Sequence, residues 1–97
     1  MGLVRQGMQT LRGAGFLVTW DVNSRDRSTV DRLWAFLWGK TVRRNGTEYV
    51  YPGFVRREGV RYLGQSVVFV VPRRLAELTN VLAKFGVDHA IDQVTFH

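Results

Sequence analysis

The sequence predicts an α+β domain in which two helices pack on one face of an antiparallel sheet. Three observations lead to this fold class. Two segments with apolar residues at helical spacing alternate with segments rich in β-branched and aromatic residues. Proline or glycine marks the start or the end of these helical segments. The chain has 97 residues, 45% of them hydrophobic, which is enough for one core and too few for two.

The first strand and the first helix are predicted from local signals. Branched and aromatic residues predominate in residues 16–22, which predicts a strand. After a polar turn, Ser28 and Asp31 form a variant capping box. Apolar residues then recur at helical spacing up to Trp38, and Gly39 can end the helix.

An extended hairpin is predicted over residues 40–61, and its first part, residues 40–47, is predicted to be a basic loop. Its turn is expected at Glu58 and Gly59, which lie between two segments rich in branched and aromatic residues. In this register Arg56 lies opposite Arg61. The limb after the turn becomes purely apolar, which is typical of a central strand.

The second helix is predicted to begin at Pro72 and to end before Gly86, with an apolar stripe between them. A last strand follows over residues 93–96. The order strand, helix, strand, strand, helix, strand predicts a ferredoxin-like βαββαβ sandwich. We expect an N-terminal arm over residues 1–14 and a single domain over residues 15–97. The three tryptophans lie at core-like spacing and are expected to be packing residues.

The charge balance indicates a polyanion as partner. Fourteen basic residues oppose eight acidic ones, which gives a formal net charge of +6. A basic domain of this size is most simply a nucleic-acid binder, although a membrane surface or a neutral scaffold remain alternatives.

With no cysteine, disulfide scaffolds and cysteine-based zinc modules are excluded. No apolar run is long enough to span a bilayer, so we expect a cytoplasmic protein without a membrane partner.

The arginines are the predicted contacts to nucleic acid, because the guanidinium fork matches phosphate geometry. Two of them open the second helix, where a positive charge opposes the helix dipole, and this conflict indicates a phosphate partner. A solvated basic surface is the alternative. The nine predicted contact residues are Arg25, Arg27, Arg43, Arg44, Arg56, Arg57, Arg61, Arg73 and Arg74.

Asp21 is the candidate catalytic and metal-binding residue. Strand alternation places it near the end of the first strand, on the face that also carries Thr19. Across the two-fold axis of a homodimer, two such carboxylates could hold Mg²⁺ or Mn²⁺ and support phosphodiester cleavage. Alternatively, Asp21 caps the following turn or pairs with Arg25 or Arg27.

Three short motifs occur in a characteristic order. They are Phe-Leu-Val-Thr-Trp-Asp-Val at residues 16–22, Gln-Ser-Val-Val-Phe at residues 65–69, and the helix that follows from Pro72. In this order the chain resembles the small CRISPR adaptation proteins of the Cas-two family, over roughly residues 16–38 and 62–96. The extended hairpin departs from that pattern.

The resemblance implies a ferredoxin-like homodimer that binds duplex DNA and bridges integrase subunits during spacer acquisition. In that complex the integrase performs the strand transfer. Some members of the family are described as metal-dependent nucleases, which implies cleavage of RNA or DNA at paired Asp21 residues as an alternative. A nucleic-acid-binding, toxin-like or regulatory domain of the same fold outside CRISPR biology is a third hypothesis.

A homodimer is also expected from the apolar strand itself. Both alternating sets of its residues are hydrophobic, so one set lies on the sheet face that the helices do not cover.

Overall fold

A computed structural model describes residues 13–96. Its elements, in chain order, are β1 (Gly13–Asp21), α1 (Arg27–Trp38), β2 (Gly39–Arg44), β3 (Thr47–Pro52), a 3₁₀ turn (Phe54–Arg56), β4 (Val60–Gly64), β5 (Val67–Val70), α2 (Pro72–Lys84) and β6 (Asp88–Phe96). Residues 1–12 of the predicted arm lie outside the described residues. Residues 13–14 belong to β1.

The main sheet has four strands in the order β4-β5-β1-β6, and every neighbouring pair in it is antiparallel. A separate two-stranded sheet is formed by β2 and β3. The predicted α+β class with an antiparallel sheet and two helices is confirmed. This arrangement is compatible with a ferredoxin-like fold, and the strands β2 and β3 are additions to a plain βαββαβ chain.

Both helices cover the same face of the main sheet. Val18 of β1 lies opposite Val68 of β5, and both side chains are fully buried. They belong to one core cluster with residues from α1 and from α2, namely Leu33, Leu37, Leu78 and Leu82. Strand alternation then places Leu17 and Phe69 on the other face. The apolar run of β5 therefore contributes to both faces of the sheet, as its sequence predicts.

Helix α1 begins earlier than the capping box predicts. Its N-cap is Asp26, whose side chain accepts hydrogen bonds from the Thr29 backbone N–H at 3.1 Å and from the Thr29 hydroxyl at 2.7 Å. The predicted cap at Ser28 is therefore wrong, because Asp26 is equally suited to capping and lies nearer the end of β1. The predicted stop is confirmed: the Gly39 N–H donates to the Ala35 carbonyl, and Gly39 has a φ of 85°.

Replacing Asp26 by alanine should lower the melting temperature by a few degrees at neutral pH, because two donors of the first turn lose their acceptor. The hydrogen bonds from Thr29 lower the pKa of Asp26 below its ordinary value of 3.8, and Arg32 adds to this effect. Because the pKa of Asp26 is lower in the folded than in the unfolded state, its ionised carboxylate stabilises the folded protein above pH 3.8. This stabilisation is lost as the pH falls from 3.8 through the lowered pKa of the folded state. The difference in melting temperature between wild type and Asp26→Ala should thus be constant near pH 6 and shrink below pH 3.8. Equal melting temperatures at pH 6 would contradict the cap.

The predicted hairpin with its turn at Glu58 and Gly59 is wrong. The hairpin that forms is β2–β3, joined by a two-residue turn at Asn45 and Gly46, which have φ values of 50° and 80°. Asparagine followed by glycine favours this left-handed pair of conformations and so fixes the position of the turn. Glu58 and Gly59 instead lie between the 3₁₀ turn and β4.

The predicted long limb over residues 60–71 is two strands. A turn at Gln65 and Ser66 divides it into β4 and β5, and the two strands pair with each other. Arg61 consequently lies opposite Phe69 rather than opposite Arg56. The last strand is longer than predicted, since all nine residues of β6 pair with β1.

Candidate nucleic-acid interface

The structure separates the nine predicted contact arginines into four places. Arg25 and Arg27 lie in the turn before α1 and at its first residue, two others lie at the tip of the β2–β3 hairpin, and Arg61 is half-buried on β4. The remaining four lie where the 3₁₀ turn meets the start of α2, and these are Arg56, Arg57, Arg73 and Arg74.

Three arginines at the start of α2 have partners within the chain. Arg57 Nε lies 3.3 Å from a Glu77 carboxylate oxygen, and Arg74 Nη1 lies 3.3 Å from the other oxygen. Arg74 Nε also donates to the Glu58 carbonyl at 3.1 Å, and Arg73 Nη2 is 3.6 Å from the Glu58 carboxylate. These contacts connect α2 to the turn before β4. The unfavourable position of the two arginines at the helix N-terminus is therefore offset by glutamates of the same chain.

Four of the predicted arginines form no ion pair within residues 13–96. At the hairpin tip, Arg43 pairs with Glu48 at 3.4 Å, whereas Arg44 has no acidic partner among these residues. Exposed pairs such as Arg43 and Glu48 stabilise little and are screened by salt. Of the nine predicted contacts, those that keep an uncompensated charge at the surface are Arg25, Arg27, Arg44 and Arg56.

The β2–β3 hairpin is a two-stranded ribbon that is exposed along its length. Every residue of β3 is exposed, and near the base of the hairpin Lys40 and Tyr51 line a small cavity with Phe36 and Phe54. Lys40 lies opposite Tyr51 in the register, and Arg44 follows Lys40 by four positions on the same face. One face of the ribbon therefore combines two cations with exposed tyrosines.

Asp21 has an acidic neighbour that the sequence reasoning missed. It lies at the end of β1, directly opposite Asp88 of β6, and both residues are exposed. Cβ atoms of directly opposed residues in an antiparallel pair are about 5 Å apart. Like charges directly opposite each other destabilise a strand pair. Within residues 13–96, however, no group of three or more potential ligands is close enough to hold a metal ion.

The tryptophans divide between the core and the surface. Trp20 is 8% exposed and belongs to the core, as predicted. Trp34 and Trp38 are 53% and 37% exposed, so the expectation that they are core residues is wrong. Helical spacing could not show that Trp34 and Trp38 are exposed, because residues four positions apart share a face of the helix whether or not another element covers that face.

Comparison of the chain with models of protein families, with curated proteins and with solved structures returns no match. Across the part of the chain that the structure describes, no helix has the length and apolar character that crossing a membrane requires.

Proposed function

We propose that this protein is a duplex-DNA-binding adaptor that contacts phosphates through the β2–β3 hairpin and the four predicted contact arginines that form no ion pair within residues 13–96. The observation that carries the proposal is the exposed ribbon, whose one face bears Lys40 and Arg44 beside Tyr49 and Tyr51. The major groove of duplex DNA is wide enough for a two-stranded β-ribbon. Arginine and lysine on such a ribbon reach phosphates, and tyrosine hydroxyls add hydrogen bonds to them.

The charge distribution supports the same proposal. All three glutamates of the chain are paired with arginines, so these pairs leave the excess positive charge on other residues. A surface with uncompensated cations attracts a polyanion over about a Debye length. Phosphate contacts of this kind carry no sequence information, which suits an adaptor that accepts any duplex.

The more specific role that we propose is that of a CRISPR adaptation subunit, a homodimer in the cytoplasm that bridges integrase subunits on duplex DNA. Two features support it beside the sequence resemblance. Without the β2–β3 hairpin, the remaining strands and helices run in the order βαββαβ of a ferredoxin-like sandwich. The sheet face opposite the helices carries the half-buried side chains of Leu17 and Val67 beside the buried Phe69, and the two half-buried side chains suit a contact between two copies.

Salt dependence of DNA binding tests the proposal. With four phosphate contacts, the affinity for a duplex should fall by about two orders of magnitude between 50 and 200 mM salt. Fluorescence anisotropy with a labelled duplex of random sequence measures it, and a second duplex of different sequence should give the same curve. An affinity that does not change with salt would contradict the proposal. For the specific role, the integrase encoded beside a CRISPR array of the same genome should form a ternary complex with this protein and a duplex.

A second candidate function, metal-dependent cleavage of DNA or RNA, is favoured by the opposition of Asp21 and Asp88. Carboxylate oxygens are the ligands that Mg²⁺ and Mn²⁺ prefer, and a cation between the two would remove their repulsion. Such a cation can activate water and stabilise the charge that develops on a phosphate during hydrolysis. These two carboxylates are donors of the type that a hard divalent ion binds, and the remaining ligands would have to come from water, from the substrate or from a second copy of the chain.

Under the adaptor function, Asp21→Asn should leave folding and DNA binding unchanged, because the amide keeps the shape of the side chain and removes a repulsion. Under the nuclease function, the same change should abolish cleavage that depends on Mg²⁺ or Mn²⁺ and stops with a chelator. The measurement is hydrolysis of duplex DNA and single-stranded RNA by the purified protein. We expect no chelator-sensitive cleavage by the wild type. Asp92→Asn is the matched control, since Asp92 lies on the same face of β6 but opposite Leu17.

A further inference from the structure

A groove beside the end of β1 is lined by aromatic side chains, and two of them, Trp34 and Trp38, are exposed to solvent. Its volume is about 270 Å³, and its walls include Trp20, Trp34, Trp38 and Tyr62. The rings of Trp34 and Trp38 are stacked, with centroids 5.6 Å apart and an angle of 23° between their planes. Tyr62 meets Trp38 edge-on at a centroid distance of 4.8 Å. These contacts arrange the rings, yet more than half of the Trp34 surface stays exposed.

The rim of the groove is polar. Asp21, Gln65 and Ser66 line it together with Ser24. They provide a carboxylate acceptor, an amide that donates and accepts, and two hydroxyl groups. A groove with an aromatic wall and a few polar groups at its edge is typical of a site for a small, flat ligand.

Two arginines are close in sequence to Ser24, which lines this groove. Arg25 directly follows Ser24, Arg27 begins α1, and neither forms an ion pair among the described residues. A ligand that combines a flat ring with hydrogen-bonding edges and a nearby phosphate would match the rings, the rim and the arginines together. A nucleotide has all three features.

We propose that this groove binds one unpaired nucleobase, which stacks on Trp34 while its edge meets the polar rim. The inference rests on the proposed function, and it adds recognition of a single-stranded end to the binding of a duplex. Bases inside a duplex are stacked on their neighbours and cannot enter a groove of this size. Stacking on aromatic side chains tolerates every base, so the site selects unpaired nucleotides rather than a sequence.

The test compares a blunt duplex with the same duplex carrying unpaired nucleotides at its 3′ or 5′ ends. We expect the wild type to bind one of the overhang duplexes about 5- to 100-fold more tightly than the blunt one. Trp34→Ala should remove this preference and leave the affinity for the blunt duplex unchanged. Trp34→Phe should restore much of it, because phenylalanine retains a ring for stacking. Indole fluorescence should be quenched by the overhang duplex in the wild type.

Several outcomes would overturn the inference. Equal affinity for blunt and overhang duplexes would show that the groove does not bind an unpaired base, and the proposed duplex binding would still stand. Failure to bind any duplex would instead contradict the proposed function. Tight binding of free deoxyadenosine monophosphate without an overhang preference would identify a free nucleotide as the ligand. A change in self-association in Trp34→Ala, with the overhang preference retained, would make the groove a protein contact. Ile91→Ala, which shortens another exposed apolar side chain, controls for general surface effects.

Discussion

Replacing by alanine the four predicted contact arginines that form no ion pair within residues 13–96 should lower the affinity for duplex DNA by about two to three orders of magnitude at 0.2 M salt. These residues are Arg25, Arg27, Arg44 and Arg56. Each guanidinium that binds a phosphate releases condensed counterions. A plot of the logarithm of affinity against the logarithm of salt concentration should therefore have a shallower slope for the variant. The slope should decrease in magnitude by about 0.9 for each phosphate that the variant no longer neutralises. Anisotropy titrations at several salt concentrations measure both quantities, and a circular dichroism melt verifies that the variant is folded.

The matched control removes arginines together with their glutamate partners. The double variant Arg43→Ala with Glu48→Ala, and the double variant Arg73→Ala with Glu58→Ala, each delete one exposed ion pair without a change of net charge. We expect duplex affinity to change less than threefold in either variant, on the order of what one exposed pair contributes. If these variants bound DNA as weakly as the four-arginine variant, the distinction between paired and unpaired arginines would be wrong.

Replacing Gly53 by alanine should lower the free energy of unfolding by about 3 kcal/mol or more. Gly53 follows β3 and lies against the end of α1, where an added Cβ would overlap the Leu37 carbonyl oxygen and the Trp38 carbonyl carbon and approach the Gly39 nitrogen to 2.6 Å. These are backbone atoms of a helix end, so they cannot move aside as a flexible side chain would. Relief of the overlap would shift the base of the hairpin away from the core residue Phe54.

Thermal unfolding and urea titration measure the effect, and the melting temperature should fall by on the order of 10 °C or more. Gly64→Ala is the matched control, because an added Cβ at Gly64 meets nothing within 4 Å. Its unfolding free energy should stay within about 1 kcal/mol of the wild type. If Gly53→Ala melted together with the control, the close approach between the hairpin and α1 would not exist in solution.

The turn of the β2–β3 hairpin is determined by local sequence. Asn45 and Gly46 are the strongest short-range signal for a two-residue turn in the chain, yet the aromatic residues after them favoured a turn at Glu58 and Gly59. Similarly, Ser66 adopts a left-handed φ of 63° that splits the long limb. A serine gives little warning of that conformation, because it is rare for residues other than glycine, asparagine and aspartate.

The candidate sites were predictable only in part. Strand alternation correctly placed Asp21 on the face opposite Trp20, since that depends on its own strand alone. Its neighbour Asp88 is 67 positions away in the sequence, and only the register of β1 against β6 brings the two together. Glu77 follows Arg74 by three positions in the same helix, a spacing at which local sequence predicts a pair. In contrast, the pairs of Arg57 with Glu77 and of Arg73 with Glu58 depend on where the turn before β4 lies.

The sequence by itself determined the two helices and the strand β1, because helical period, Pro72, Gly39 and the clustering of branched residues act within a few neighbours. It also determined the excess of arginine over acidic residues. Only the tertiary structure decided which arginines remain without a partner, that Trp34 is exposed, and that two aspartates face each other. These properties depend on strand register and on how the helices pack against the sheet. Both join residues far apart in the chain, where the local pattern carries no information about distance.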